Sequence, residues 1–380
     1  MEQHALGILQ NEDLLGWDEM RRIQASVKQG GTFRAITPKL LYYLTKESQK
    51  FGGDVLDQFW EQFGACDNKL KENIESLKQE DFVSAQTSFD VLFRGLDPKN
   101  VNFKPVLEMA VEFFTHLGVA CLTIVNATVM NPGESKLGTS TEFSVSEVVN
   151  EETDKLLQQS FRRDGDFCLL TGVEFMHSKK KPGFYPALVP IIPNSVHGKP
   201  DTLKCIAMFA GPAARDDVVC HLNDIGNVMN MELNAHASYD NLHWGIEAKE
   251  EGGEVKYFFR TVPTNPGVHG LVFITLRDGE EIQFGKGPEG KKLGNGPLPT
   301  LCNLQLAVAR VLKMSGAADI ILEWKDDADD DGCYHLFSAS EEFRKVFDAK
   351  LFLSGAEPWL DSHPLLIRES DGSQDPMAVS

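Results

Sequence analysis

Apolar residues recur at three- and four-residue intervals through Asn11–Lys28, Pro38–Gln49, Asp54–Phe63 and Lys69–Leu77. That spacing places a continuous stripe on one face of a helix, so each segment is expected to be helical. Paired glycines at 30–31 and 52–53 punctuate the series. A longer apolar stretch from Pro105 to about Met130 reads as a further helix, since proline suits a first turn, and Pro132-Gly133 ends it. Residues 131–146 are rich in Gly, Ser and Thr and read as a linker.

The pattern then changes period. Phe167–Thr171 and Ala187–Ile192 are short apolar runs bounded by Gly and Pro, and they read as a strand pair. Glu232–Asn241 reads as a short helix. Trp244–Ala248 and Val255–Thr261 flank Gly252-Gly253 and read as a hairpin, and Val272–Leu276 with Glu281–Phe284 as another. After a flexible basic loop, Gly285–Gly296, Pro299 opens a helix with apolar positions at Leu301, Leu304, Val308, Val311 and Leu312. The pattern resumes after Gly316. An acidic run and a helical stretch over Glu341–Leu353 precede a tail expected to be disordered.

Composition narrows the function classes. No segment reaches the roughly 18 apolar residues of a membrane helix, and no secretory signal is visible. The seven cysteines are scattered, with no C-x-x-C pair, which speaks against a disulfide framework or a zinc site of the common spacings. An intracellular setting, cytoplasm or nucleus, is expected. A formal net charge of −19 opposes non-specific binding to phosphate backbones, so any nucleic-acid contact requires a local basic island.

Two motifs fail on context. Gly285 to Lys292 nearly spells a phosphate-binding loop, but Lys292 stands where Ser or Thr should ligate magnesium. Gly294, Gly296 and Pro297 also block the helix that loop needs. Asp327, Asp329, Asp331 and Gly332 match the first half of a calcium loop, yet Ser338 stands at the twelfth position, where a bidentate Glu belongs. No G-x-S-x-G elbow and no recognisable nucleophilic cysteine motif occurs.

The informative stretch runs from Phe161 to Ala248. It contains Arg163-Asp-Gly-Asp-Phe-Cys-Leu-Leu-Thr-Gly172, then Ala187-Leu-Val-Pro-Ile-Ile-Pro193, then Asn227-Val-Met-Asn-Met-Glu-Leu-Asn-Ala-His236-Ala-Ser-Tyr-Asp240, and closes with Trp244-Gly-Ile-Glu-Ala248. In order and spacing this resembles the HNH nuclease domain of a family abundant in fungi. Members of that family read R-D-G-x-x-C-x-x-T-G, A-H-I-I-P, N-V-M-x-L, H-x-x-F-D and W-x-x-E-A. Residues 307–319 are similar to its closing helix, so the resemblance covers about residues 155–325. It implies metal-assisted phosphodiester hydrolysis, with a histidine base activating water and Mg or Mn clamping the scissile phosphate.

Carried over by position, Asn227 and His236 are the catalytic candidates, separated by eight residues as the pattern requires. His236 and Asp240, four apart on a helix, are the metal candidates. The general-base position is occupied by Pro190, whose side chain accepts no proton. His197 and His221 are the alternatives for that base. From Phe161 to Cys205 seven basic residues stand against four acidic ones, and Arg162, Arg163, Lys179, Lys180 and Lys181 are the nucleic-acid-binding candidates.

An α+β protein is therefore expected: an N-terminal helical region over 1–130 and a linker over 131–154. A central ββα HNH-like module with β-hairpins then spans 155–262, with a hairpin and C-terminal helical closure over 263–325. An acidic linker, helix and tail fill 326–380. The expected function is that of an HNH endonuclease-family protein with degenerate or absent phosphodiesterase activity. The alternatives are an active metal-dependent endonuclease with a replacement base and a non-catalytic protein-interaction module on the same scaffold.

Overall fold

A computed structural model describes residues 1–10, 32–120, 143–175, 186–193, 196, 198–263 and 273–322. The helices expected over 11–28 and 341–353, the acidic run, Lys179–Lys181 and His197 lie outside the described residues.

Apolar stripes in the first part of the chain fold as helices α1 (Glu2–Gln10), α2 (Thr32–Ser48), α3 (Val55–Ala65), α4 (Asn68–Leu77), α5 (Ala85–Leu92) and α6 (Lys104–Phe113). Polar caps set two of the starts. Asp67 accepts from the Lys69 and Leu70 amides ahead of α4, and Ser84 from the Thr87 amide ahead of α5. Aromatic rings dominate the interior, where Phe59 meets Trp60 at 5.2 Å and Phe63 meets Phe103 at 5.9 Å. Helix α2 begins ahead of Pro38, which lies inside it and gives up one helical hydrogen bond. Beyond α6 the chain continues as a π-helical turn, Phe114–Val119.

Helix α7 (Phe143–Asp164) corrects the expected linker, whose last part, residues 143–154, is helical. Then come β1 (Ala187–Pro190), α8 (Pro200–His221), β2 (Val228–Met231) and α9 (Leu233–Asp240). The chain continues through β3 (Trp244–Glu251), β4 (Glu254–Thr261), β5 (Glu281–Ile282) and α10 (Pro299–Ser315). Helix α8 is not among the elements expected from the sequence, and Gly211-Pro212 interrupts it. Gly211 takes φ +85°, and the helix kinks there without ending, burying Cys205, Ile206 and Phe209 before the break and Ala214 and Val218 after it.

The strand assignments need two corrections. β1 does not pair with Phe167–Thr171; it pairs antiparallel with β2, Ala187 opposite Met231 and Pro190 opposite Val228. The 167–171 run turns back on itself instead, with a lone bridge from Phe167 to Glu174. The hairpin expected from Val272–Leu276 and Glu281–Phe284 is absent among the described residues. Glu281–Ile282 adds instead to the edge of the β3–β4 hairpin, Ile282 opposite Tyr257. That hairpin turns at Gly252-Gly253, as expected.

The two parts of the chain share one core. Helix α10 packs against α2 on one side and β3 on the other. The Asp54 amide donates to the Met208 carbonyl at 2.7 Å, Phe51 meets Phe209 at 6.0 Å, and Arg310 approaches buried Glu47 at 3.9 Å. The mixed helix-and-sheet architecture is α+β.

Two histidines make this core sensitive to acid. His4 is buried; its Nε2–H donates to the Glu80 carbonyl (3.1 Å) and Nδ1 meets the Ser88 hydroxyl (2.8 Å). Burial pushes His4 and His243 below the ordinary histidine value of 6.5, and Lys313 adds to the effect at His243. The unfolded chain therefore binds more protons as pH falls through 6.5, and stability must fall with it. Melting curves between pH 7.5 and 5.5 should show Tm dropping, with a shallower slope in His4→Gln. A Tm independent of pH in this window would contradict the assignment.

Candidate functional site

The site grows from a strand–strand–helix unit, β1–β2–α9, in which the short antiparallel ribbon is followed at once by the helix. Glu232 caps α9, its carboxylate accepting from the Asn234 and Ala235 amides. Two aromatic side chains seat the helix. Tyr239 donates its hydroxyl to the Ile191 carbonyl (3.3 Å), and fully buried Trp244 donates its indole N–H to the Ala235 carbonyl (3.2 Å). Their rings lie 4.8 Å apart.

Asn227 is the hinge pin of this unit. It is fully buried, and its amide makes three hydrogen bonds. Nδ2 donates to the carbonyls of Ile192 (2.8 Å) and Leu222 (2.9 Å), while Oδ1 accepts from the Ile192 amide (2.8 Å). The Asn227 carbonyl also accepts from the Ile191 amide at 2.7 Å. One side chain thus ties the segment after β1 to the turn before β2. Leaving such buried amides and carbonyls unpaired costs about 1–3 kcal/mol for each group.

Arg163 is placed where the expectation of a phosphate contact does not hold. Its guanidinium is fully buried and stands 5.8 Å from the Phe284 ring. It donates to the Ile225 carbonyl (2.6 Å), the Val228 carbonyl (2.8 Å) and the Asp164 carboxylate (2.8–3.0 Å). Asp164 also accepts from the Gly285 amide at 3.1 Å. This pair clamps the end of α7 to the turn that carries Asn227 and to the loop after β5. The guanidinium is fully buried and its bonds run inward, so no phosphate reaches it while the core is intact.

His236 and Asp240 share one face of α9, as their spacing requires, and His236 Nε2 lies 3.1 Å from Asp240 Oδ2. His236 is buried and Asp240 half-buried. They face one another, and among the described residues no group of three or more His, Cys, Asp or Glu side chains gathers to hold a metal. Pro190 ends β1, immediately before the loop that Asn227 grips. Cysteine nucleophiles find no support at Cys66 or Cys302, whose thiols burial pushes up to about 12.

Among the described residues, the cations of the basic island are largely spent within the fold. Arg162 is exposed but faces Glu289 at 3.7 Å, and Lys204 pairs with Glu112 at 3.0 Å. Burial lowers the affinity of Lys199 for its proton, and its ammonium has no hydrogen-bond partner.

His221, at the end of α8, donates Nδ1–H to Asp224 Oδ2 (2.6 Å), and Asp224 Oδ1 accepts from the Gly226 amide (2.7 Å). This pair lines a cleft of about 1110 Å³ bounded by the β3–β4 turn and the Gly285–Gly296 loop. The sequence singled out His221 but not Asp224. The H-x-x-D spacing at a helix end was the signal available for the pair.

No family model, no curated protein and no solved structure matches this chain.

If the buried clamp holds the site, Arg163→Met should cost about 3–5 kcal/mol by leaving Asp164 buried and unpaired. Arg162→Met, on the surface, should change stability by less than about 0.5 kcal/mol. Urea unfolding of the two variants checks this, and equal, small effects would refute the clamp.

Proposed function

We propose that this chain is a nuclease-type ββα scaffold of the HNH kind that has lost the hydrolytic step and persists as a binding module. The observation that carries the reading is Asn227. Its side chain bridges the loop after β1 to the turn before β2, and α9 follows with His236 nine residues on. An asparagine so placed is what a ββα nuclease uses to hold its base-bearing segment, and the base would stand at position 190.

At that position stands proline, so the attacking water has no side-chain acceptor from β1. Losing a general base lowers the rate by about 10²–10⁴-fold. His236 and Asp240 would be the protein ligands of Mg or Mn in such a site. They are engaged with one another, and no third donor accompanies them among the described residues. With these two protein ligands, the ion would take its remaining positions from water and the substrate phosphate, as Mg commonly does.

A second reading, cleavage with His221 as the base, is favoured by one observation. Asp224 holds His221 through Nδ1, which leaves Nε2 as the nitrogen free to accept a proton.

Plasmid nicking by the full chain with Mg, Mn or no metal separates the two. The lead reading expects no metal-dependent cutting from the unaltered protein. Metal-dependent nicking abolished in both His221→Ala and His236→Ala would overturn it in favour of the second.

A further inference from the structure

The Gly285–Gly296 loop carries Lys286, Lys291 and Lys292 along the wall of the cleft that His221 lines. Loops of this composition are ordinarily floppy, and a cation on a floppy loop binds weakly because ordering it costs conformational entropy. This loop is held instead. The Gly287 amide donates to the Arg163 carbonyl and the Glu289 amide to the Arg162 carbonyl, each at 2.8 Å. Inside the loop the Asn295 amide donates to the Gly290 carbonyl at 2.9 Å, and the Leu298 amide reaches the Gly226 carbonyl at 2.8 Å. Packing is so close that a Cβ at Gly290 would lie 1.9 Å from the Gly285 carbonyl oxygen, and one at Gly287 would lie 2.5 Å from that of Arg162. The backbone is preorganised and the lysine side chains project from it, exposed.

In the same cleft, Asp224 fixes the imidazole of His221 and keeps Nε2 for a ligand. The lysines are not equally occupied. Lys292 faces Glu289 at 3.5 Å and Lys256 faces Glu251 at 3.1 Å, whereas Lys286 and Lys291 have no carboxylate partner within the described residues. Two ammonium groups without a carboxylate partner, on a rigid loop in the same cleft as an oriented imidazole, match a phosphate group better than a carboxylate, although Glu254 and Glu281 also line the cleft. Phosphate offers more acceptor oxygens and carries more charge.

We infer that this cleft is a binding site for a phosphate-bearing ligand, held by Lys286 and Lys291 with His221 as a further polar contact in the same cleft. The site lies on the β3–β4–loop side of the Asn227 turn and does not depend on the nuclease reading. The near-miss to a nucleotide loop noted in the sequence is resolved differently here. No helix follows the lysines directly, so the contacts come from side chains on a knotted loop and not from a fan of helix amides.

Affinity of the full chain for inorganic phosphate, AMP and a short single-stranded oligothymidylate, measured by microscale thermophoresis at low salt, tests the inference. Binding should weaken by about tenfold or more in Lys286→Ala/Lys291→Ala, and also in His221→Gln, as expected on losing charge-assisted contacts. The lysine variant alters only exposed side chains and should keep the parental Tm, so it tests the site even if His221→Gln disturbs the turn. Binding of phosphate and AMP would identify a small phosphate ligand as the source. Binding of the oligonucleotide alone would identify a strand. Absence of binding to all three probes, or binding unchanged in both variants, would overturn the site.

Discussion

A guanidinium sealed from water must find all its partners within the chain, and much of this structure is arranged around satisfying Arg163. Its Nε, Nη1 and Nη2 donate to the carboxylate beside it in sequence and to two carbonyls more than sixty residues away. Those carbonyls flank Asn227, so the turn that carries the site is held by a charge in the core and not by local propensity. Asp164 passes the constraint on to the Gly285 amide, and the neighbouring carbonyls of Arg162 and Arg163 fix the rest of the loop. One buried ion pair thus ties α7, the β1–β2 ribbon and the cleft wall together. Such a pair is strongly destabilising when half removed, which makes it a device for specificity of arrangement.

What could be read from the sequence followed from period and order. Helices with a clear stripe, such as α3, α4 and α10, lie where the pattern places them, and the Gly252-Gly253 hairpin turns where expected. His236 and Asp240 share a helix face because a four-residue spacing requires it. Misreadings arose where a tertiary partner decides. Nothing local tells Ala187–Pro190 to pair with a strand some forty residues on and not with the nearer apolar run. Gly211-Pro212 is a stop in most contexts and a kink here because apolar residues on both sides reach the core. Arg163 looked like a surface cation because charge is read from composition, whereas burial is a property of the fold.

The electrostatics follow the same logic. Within the stretch counted as basic, Arg163 faces inward, Arg162 and Lys204 face carboxylates, and the Lys199 ammonium is buried. Local charge excess in sequence is therefore not free charge in space. Lys286 and Lys291, without a carboxylate partner among the described residues, lie instead on a glycine-rich loop outside Phe161–Cys205. In a chain of net charge −19, two such lysines on a fixed backbone matter more than cations already paired with their neighbours.

On the proposed reading, scaffold and chemistry separate at Pro190. On this account the frame built by Asn227, Tyr239 and Trp244 is that of a ββα nuclease, and Pro190 is where the reaction was lost. The most direct measurement is metal-dependent plasmid nicking by Pro190→His, with its melting temperature checked against the parent. The account predicts that the substitution confers cutting in Mg or Mn and that adding His236→Ala removes it. A well-folded Pro190→His protein that cuts nothing under either metal would contradict the nuclease-scaffold reading.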